Sequence, residues 1–185
     1  GVDIETRPIN TDWSIRDSHR MAIAANLNDY HGYERLIDSM CSHNGFRLDV
    51  AGDGPAFNAL RQRAAELNLQ DRVEFHGHLG GSELDRFFMA ADVGIGTLGG
   101  DQPGAISWSP LKTREYLARG MPVVYSGDDP DLRSRPPFTD RIPPCENRID
   151  LVKVAAWLGS LRRVEGMPTE IRAFARANLD MKTRM

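Results

Sequence analysis

The sequence predicts an α/β domain in which a parallel sheet is covered by helices on both faces. Three observations carry that expectation. Short, apolar, strand-length runs alternate with amphipathic stretches of helical period five times between residues 21 and 127. Parallel neighbours need a crossover connection, and here each connection has the length and pattern of a helix. The chain has 185 residues, 41% of them hydrophobic, enough for one domain with a substantial core. The expected architecture is a Rossmann-like, doubly wound parallel sheet.

The elements follow in order. Residues 1–18 are polar, contain Pro8 and the run NTDWSIRDSH, and read as a linker or extended entry segment. MAIAANL (21–27) is a short apolar strand. HGYERLIDSMCSH (31–43) is a helix with Leu36, Ile37 and Met40 on one side. FRLDVAG (46–52) alternates with period two, as a strand does. PAFNALRQRAAEL (55–67) sets Phe57, Leu60, Ala64 and Leu67 at helical spacing, with Pro55 suited to the first turn. RVEFHG (72–77) is the third strand. SELDRFFMAA (82–91) is a helix capped by Ser82, with Leu84, Phe87, Phe88 and Ala91 on one stripe. DVGIGTL (92–98) is the fourth strand. SPLKTREYLARGMPVVYSG (109–127) gives a helix and then the strand 122–127. DDPDLRSRPPFTDRIPP reads as irregular, and helices near 148–163 and 169–180 close the chain. Residues 19–165 thus form the domain and 166–185 a C-terminal helical segment.

Composition excludes several classes of function. A net charge of −3 gives no global bias toward nucleic acid or an acidic membrane. No apolar run in these 185 residues approaches a membrane span, and no signal peptide appears among them, though one could lie upstream. The opening GVDIETRPIN lacks an initiator Met, so the chain is expected to be a piece of a longer one. Cys41 and Cys145 form no CxxC pair; they fit free thiols in a reducing cytoplasm, and one disulfide is the alternative.

In a doubly wound sheet, ligands sit at the carboxyl ends of the strands. The loops to inspect are therefore 27–31, 52–55, 77–82, 98–109 and 126–131. Asn26, His31 and Gly32 surround the end of the first strand and the next helix start, where free N–H groups suit a phosphate. Asn28 or Asp29 as a plain cap is the alternative. Gly52, Asp53 and Gly54 form a loop open to close backbone approach or to a simple tight turn. Gly77 and His78 are similar, with His78 offering a ring to a ligand or only to solvent. Ser109 can cap the fourth helix and Pro110 suits its first position, leaving the amides of Leu111 and Lys112 for an anion. Glu115 falls between Leu111 and Ala118 on what reads as an apolar face. It can accept two hydroxyl hydrogen bonds, as from a ribose, or pair with Lys112 at i, i+3. The chain has no GxGxxG after the first strand, no P-loop, and no HExxH, CxxC or GxSxG motif. No metal site is expected; DDPD (128–131) is the nearest acidic cluster and reads as a solvated loop.

The blocks NLNDYHGYERLI, LDVAGDGPAFNALRQRAAELNLQDRVEFHGHLGGSELDRFFMAADVGIGTL and SPLKTREYLARGMPVV, in this order and spacing, resemble the C-terminal half of GT-B glycosyltransferases. The nearest likeness is to retaining enzymes of the glycogen-synthase-like group that build bacterial polysaccharides, and it covers nearly the whole chain. The resemblance implies one half of a GT-B architecture, binding a nucleotide-diphosphate sugar as donor, with no other cofactor. It implies a hexosyltransferase-type activity of the full-length protein on a glycan or lipid-linked acceptor, held largely by an N-terminal domain. The closing helix 166–185 would pack on that domain, leaving Ile171, Phe174 and Ala175 more exposed here, and the 185 residues alone would not catalyse transfer. A cytoplasmic protein, membrane-associated at full length, is implied.

Carried over by position, Gly52–Gly54 approach the nucleotide and Gly77–His78 lie beside the base. The amides of Leu111 and Lys112 bind the diphosphate, and Glu115 holds the ribose as the second Glu of the family's pair. The first Glu of that pair falls on Ser107, and the family's basic diphosphate pair falls on Asn26 and His31. Two rivals share the fold: a non-catalytic nucleotide-sugar-binding module and a GT-B sugar-nucleotide epimerase.

Overall fold

The computed structural model describes residues 2–11, 13, 18–99, 111–143 and 148–180. Six strands, β1 (His19–Ala24), β2 (Phe46–Ala51), β3 (Val73–Gly77), β4 (Val93–Ile95), β5 (Val123–Tyr125) and β6 (Thr139–Arg141), form one sheet in the order β3-β2-β1-β4-β5-β6. Every pairing is parallel. This is the doubly wound order, and its topological switch point lies between β1 and β4.

Among the described residues, six α-helices cover the sheet: α1 (Tyr33–Met40), α2 (Phe57–Glu66), α3 (Gly81–Met89), α4 (Leu111–Ala118), α5 (Leu151–Arg162) and α6 (Met167–Asn178). The period-two alternation of β1 divides the core between two faces. Met21 and Ile23 join the cluster with Leu36 and Ile37 of α1, Leu60 and Ala64 of α2, and Val154 and Leu158 of α5. Ala22 joins the other cluster with Phe87 and Phe88 of α3, Tyr116 and Leu117 of α4, and Ile171 and Ala175 of α6. Burying both faces explains why these strands are apolar runs.

Several expectations are corrected. The passage read as irregular contains a 3-10 helix (Pro130–Leu132) and the edge strand β6. The helix expected from Ser82 begins at Gly81, so Ser82 lies inside α3 and Gly80 occupies the cap position. Leu111 is 63% exposed, whereas the buried residues of α4 are Thr113, Arg114, Tyr116, Leu117 and Ala118. Ile171 and Ala175 are fully buried, not exposed, because α6 packs against α4 within this chain. Phe174 meets Phe138 edge-on at 5.4 Å. The entry segment is fastened to the same helix: Ile4 is fully buried, Val2 bridges Asp180, and the Arg172 guanidinium donates to the carbonyls of Ile4 and Arg7. Cys41 is an exposed free thiol, and Cys145 lies outside the described residues.

Candidate functional site

The switch point is bridged by one tyrosine. The Tyr116 hydroxyl accepts from the Ala24 amide at 3.1 Å and donates to the Ile95 carbonyl at 3.2 Å, so it pins the ends of β1 and β4 together. Gly94 is required for this, since a Cβ there would come within 2.3 Å of the Tyr116 ring. Burial raises the Tyr116 phenol well above its ordinary range, keeping it a neutral hydroxyl.

Beyond those strand ends the loops after β1 and β4 interlock. The His31 carbonyl accepts from the amides of Leu98 (2.7 Å) and Gly99 (2.8 Å). Gly32 has φ +67°, and a Cβ on it would meet the Gly99 backbone nitrogen at 2.6 Å. Arg35 ties the same region from α1, donating to the Leu98 carbonyl and, at 3.2 Å, to that of Pro143.

Three side chains converge at this crevice. His31 Nδ1 accepts from the Asn28 amide at 3.2 Å, which leaves Nε2 to carry the proton of the neutral ring. The His31 and Tyr33 rings lie 5.1 Å apart. Lys112 Nζ, from the first turn of α4, donates to the Tyr33 hydroxyl at 2.8 Å. Burial lowers Lys112 to about 7 from 10.5. Burial, reinforced by the Lys112 charge, lowers His31 to about 4. Tyr33 is pushed well up by burial. The site thus presents a neutral histidine donor and an ammonium held without an anionic partner among the described residues, beside the N-terminus of α4. First-turn amides of a helix lack intrahelical partners and carry the positive end of its dipole. The arrangement suits a polyanion.

The other expected residues are placed differently. Gly52 and Gly54 serve protein contacts: a Cβ on Gly52 would fall 1.9 Å from the Ala25 carbonyl oxygen, and one on Gly54 2.4 Å from that of Leu27. The Asp53 carbonyl accepts from Leu27 at 2.7 Å, and its side chain accepts from the Gly54 amide. These two glycines therefore lock the β2 loop onto the β1 loop. Asn26, exposed beside them, accepts from the Asn28 side chain through its carbonyl. Gly77 is different: its φ is +67°, yet the space where a Cβ would point is open, and His78 next to it is exposed. Ser107, Ser109 and Pro110 lie outside the described residues.

Glu115 does not pair with Lys112. Its Oε1 is held by Arg119 Nη2 at 2.9 Å and by Arg7 Nε at 2.8 Å. Arg119, 2% exposed, also reaches Asp85 of α3 at 2.8 Å and stacks on the Phe88 ring at 4.5 Å. The carboxylate that looked misplaced on an apolar face thus completes a half-buried ion network around Arg119 that joins α3, α4 and the entry segment. Sequence reasoning missed Tyr33, Tyr116 and Arg119. The first two adjoin residues it singled out, but their partners are remote in sequence. It also missed Asp49, Glu74 and His76, whose ligand-type atoms lie within 4.8 Å of one another. Asp49 is already neutralised by Arg20 at 2.6 Å, and His76 turns Nε2 to Asp49 and Nδ1 toward Glu74. The histidine bridges the two carboxylates instead of offering both the same nitrogen.

Residues 14–130 match the family described as glycosyl transferases group 1, more than half of the chain. The chain belongs to that family. Alpha-monoglucosyldiacylglycerol synthase of Streptococcus pneumoniae is 35% identical over 93 residues, covering 50% of this chain and 20% of that protein. Anabaena HepE, solved with UDP and glucose, superposes with a TM-score of 0.71 at 16% identity, over 99% of this chain and 52% of that one. Sucrose-phosphate synthase from Thermosynechococcus elongatus gives 0.75 at 18% identity, over 99% and 48%. The C-terminal domain of a group 1 glycosyl transferase from Francisella tularensis gives 0.67 at 14% identity, and the match covers 100% of that chain. This glycosyltransferase chain has the Rossmann-like fold of one half of a GT-B architecture. It spans about a fifth of the curated relative and about half of HepE and sucrose-phosphate synthase. Among the described residues, no helix is long and apolar enough to cross a membrane.

Proposed function

We propose that this chain is the donor-binding domain of a glycosyltransferase that moves a sugar from a nucleotide-diphosphate sugar to a glycan or lipid-linked acceptor. The observation that carries this is the crevice between the β1 and β4 loops. There Lys112, at the start of α4, stands beside neutral His31 with no anion among the described residues to satisfy it. A diphosphate supplies that anion, bound by the α4 amides, Lys112 and the His31 Nε2–H. The open side of Gly77 and the exposed His78 take the base. HepE, similar in fold, has been solved with UDP and with UDP-glucose, which favours the same class of ligand here.

In the intact enzyme the helix dipole and Lys112 stabilise the charge that develops on the leaving diphosphate. The reading calls on no cofactor other than the donor. The acceptor is held by a second domain, the working compartment is the cytoplasm, and any membrane contact of the whole protein involves that second domain. The Glu115 carboxylate, expected on the ribose, is engaged by Arg7 and Arg119, so a ribose would share it with them. A thermal-shift screen of nucleotide sugars against the free sugars tests the reading. Nucleotide sugars should raise the melting temperature and free sugars should not. No shift with any nucleotide sugar at millimolar concentration would refute it.

A further inference from the structure

A second cationic site lies toward the outer edge of the sheet, with Arg35 between it and the crevice. A cavity of about 320 Å³ opens between the end of β6 and the start of α5. Arg35, Arg141, Arg148 and Lys153 line it, against two acids, Asp140 and Asp150. Asp150 is committed: it caps α5 by accepting from the Lys153 amide at 3.1 Å, and it pairs with Lys153 Nζ at 3.4 Å. Arg35 is committed to the carbonyls of Leu98 and Pro143. Arg141 and Arg148 are exposed, and their guanidinium groups have no ion pair or hydrogen bond among the described residues. A smaller cavity of about 190 Å³ adjoins on the other side of Arg141, and Arg135 lines it. Arg135 also has no ion pair among the described residues, and its φ of +49° is rare for a residue with a side chain.

Surface arginines are ordinarily interspersed with acids in a chain whose net charge is −3. Here four cationic side chains line one cavity against two acids. Of those without an ion pair or hydrogen bond among the described residues, two are arginines and one is Asp140, so the lining is net positive. The cavity is also amphipathic. Ile142 and Ile149 are nearly buried in its wall, and the Trp157 indole N–H is taken by the Pro137 carbonyl at 2.9 Å, which leaves apolar ring surface for a ligand.

We infer that this cavity binds a phosphate group carried by a molecule with an apolar portion. The phosphate sits on Arg141 and Arg148, and the apolar part lies against Ile142, Ile149 and Trp157. Planar guanidinium forks match phosphate oxygens two at a time, and a phosphate takes the positive charge that the cavity leaves unbalanced. The site does not depend on the donor reading, because none of the crevice residues His31, Tyr33 and Lys112 lines it.

The same chemistry is offered by a free phosphate and by a phospholipid head group, so the test has two arms. The first follows the arginine Nε–Hε signals of the whole 185-residue chain by NMR while inorganic phosphate replaces chloride at constant ionic strength. The second measures co-sedimentation with phosphatidylglycerol vesicles, with phosphatidylcholine vesicles as reference. Arg141→Gln and Arg148→Gln change exposed, unpaired groups, and unchanged melting checks their fold. Saturable shifts at Arg141 and Arg148, at least tenfold weaker in either variant, support a site reached by free phosphate. Vesicle binding that both variants abolish identifies the lipid-borne source. No response in either arm, or variants that bind like the parent chain, would overturn the proposal. So would loss of the phosphate shifts under saturating UDP, since the site would then belong to the crevice; a chain that binds no UDP but keeps these shifts would refute the donor reading alone.

Discussion

Raising the pH should weaken nucleotide binding through Lys112. In the free protein, burial holds this amine near 7, well below 10.5. A bound diphosphate restores the charged form, so its pKa returns toward the ordinary value and binding takes up a proton whenever the amine begins neutral. Affinity is then fullest below pH 7 and declines as pH rises toward the bound-state pKa. Between pH 7.5 and 9 the phosphate itself is fully ionised, its second pKa being near 6. Over that interval a group titrating at 7 when free and above 10 when bound should cost about 25-fold in affinity, or about 2 kcal/mol. His31, lowered to about 4, stays neutral throughout and adds no slope. Isothermal calorimetry with UDP in buffers of different ionisation enthalpy gives both quantities. Proton uptake should rise from about one half near pH 7 to nearly one at pH 8.5. Lys112→Arg should bind with a flat profile and Lys112→Met weakly at every pH. A flat profile for the parent chain, or no proton uptake, would refute the placement of Lys112 at the phosphate.

Three further outcomes follow. Glu115→Ala leaves buried Arg119 with Asp85 alone and should lower unfolding free energy by about 2–3 kcal/mol, read from urea denaturation; an unchanged midpoint would make the network decorative. The unfolded His31 ring titrates near 6.5 but the folded ring only near 4. Its neutral state is therefore stabilising above pH 6.5, and that contribution is lost as pH falls toward 4, by about 3 kcal/mol. His31→Gln should flatten that part of the stability profile. Gly52→Ala should destabilise by several kcal/mol, because the new methyl meets the Ala25 carbonyl at 1.9 Å at φ +120°. Gly77→Ala, with open space and φ +67°, should cost only about 1–2 kcal/mol; equal losses in thermal melts would contradict the packing described for the β2 loop.

The five apolar strands were legible because burial on both faces makes each one a short, continuous run. β6 was not, because Thr139-Asp140-Arg141 is a half-exposed edge strand with no apolar signal, flanked by prolines that suggest a loop. Leu111 shows the limit of helical periodicity: an apolar residue in the first turn of α4 reads as core, yet at the very end of the helix it stands in solvent. His31 and Lys112 could be named from their positions after a strand and at a helix start. Their lowered pKa values could not, since these depend on burial among segments far apart in sequence and, for His31, on the charge of Lys112. Glu115 is the same case, its partner Arg7 being supplied by the entry segment, and Asp85, which shares Arg119 with it, by α3. The family resemblance assigned Glu115 to a ribose but contained no notice of that ion network.

The central claim is that the crevice where the β1 and β4 loops meet α4 binds a diphosphate. Calorimetry of uridine and UDP against the parent chain and Lys112→Met tests it most directly. The account predicts that UDP binds the parent at least tenfold more tightly than uridine and that Lys112→Met removes most of that difference. Equal affinities for nucleoside and diphosphate in the parent chain would contradict it.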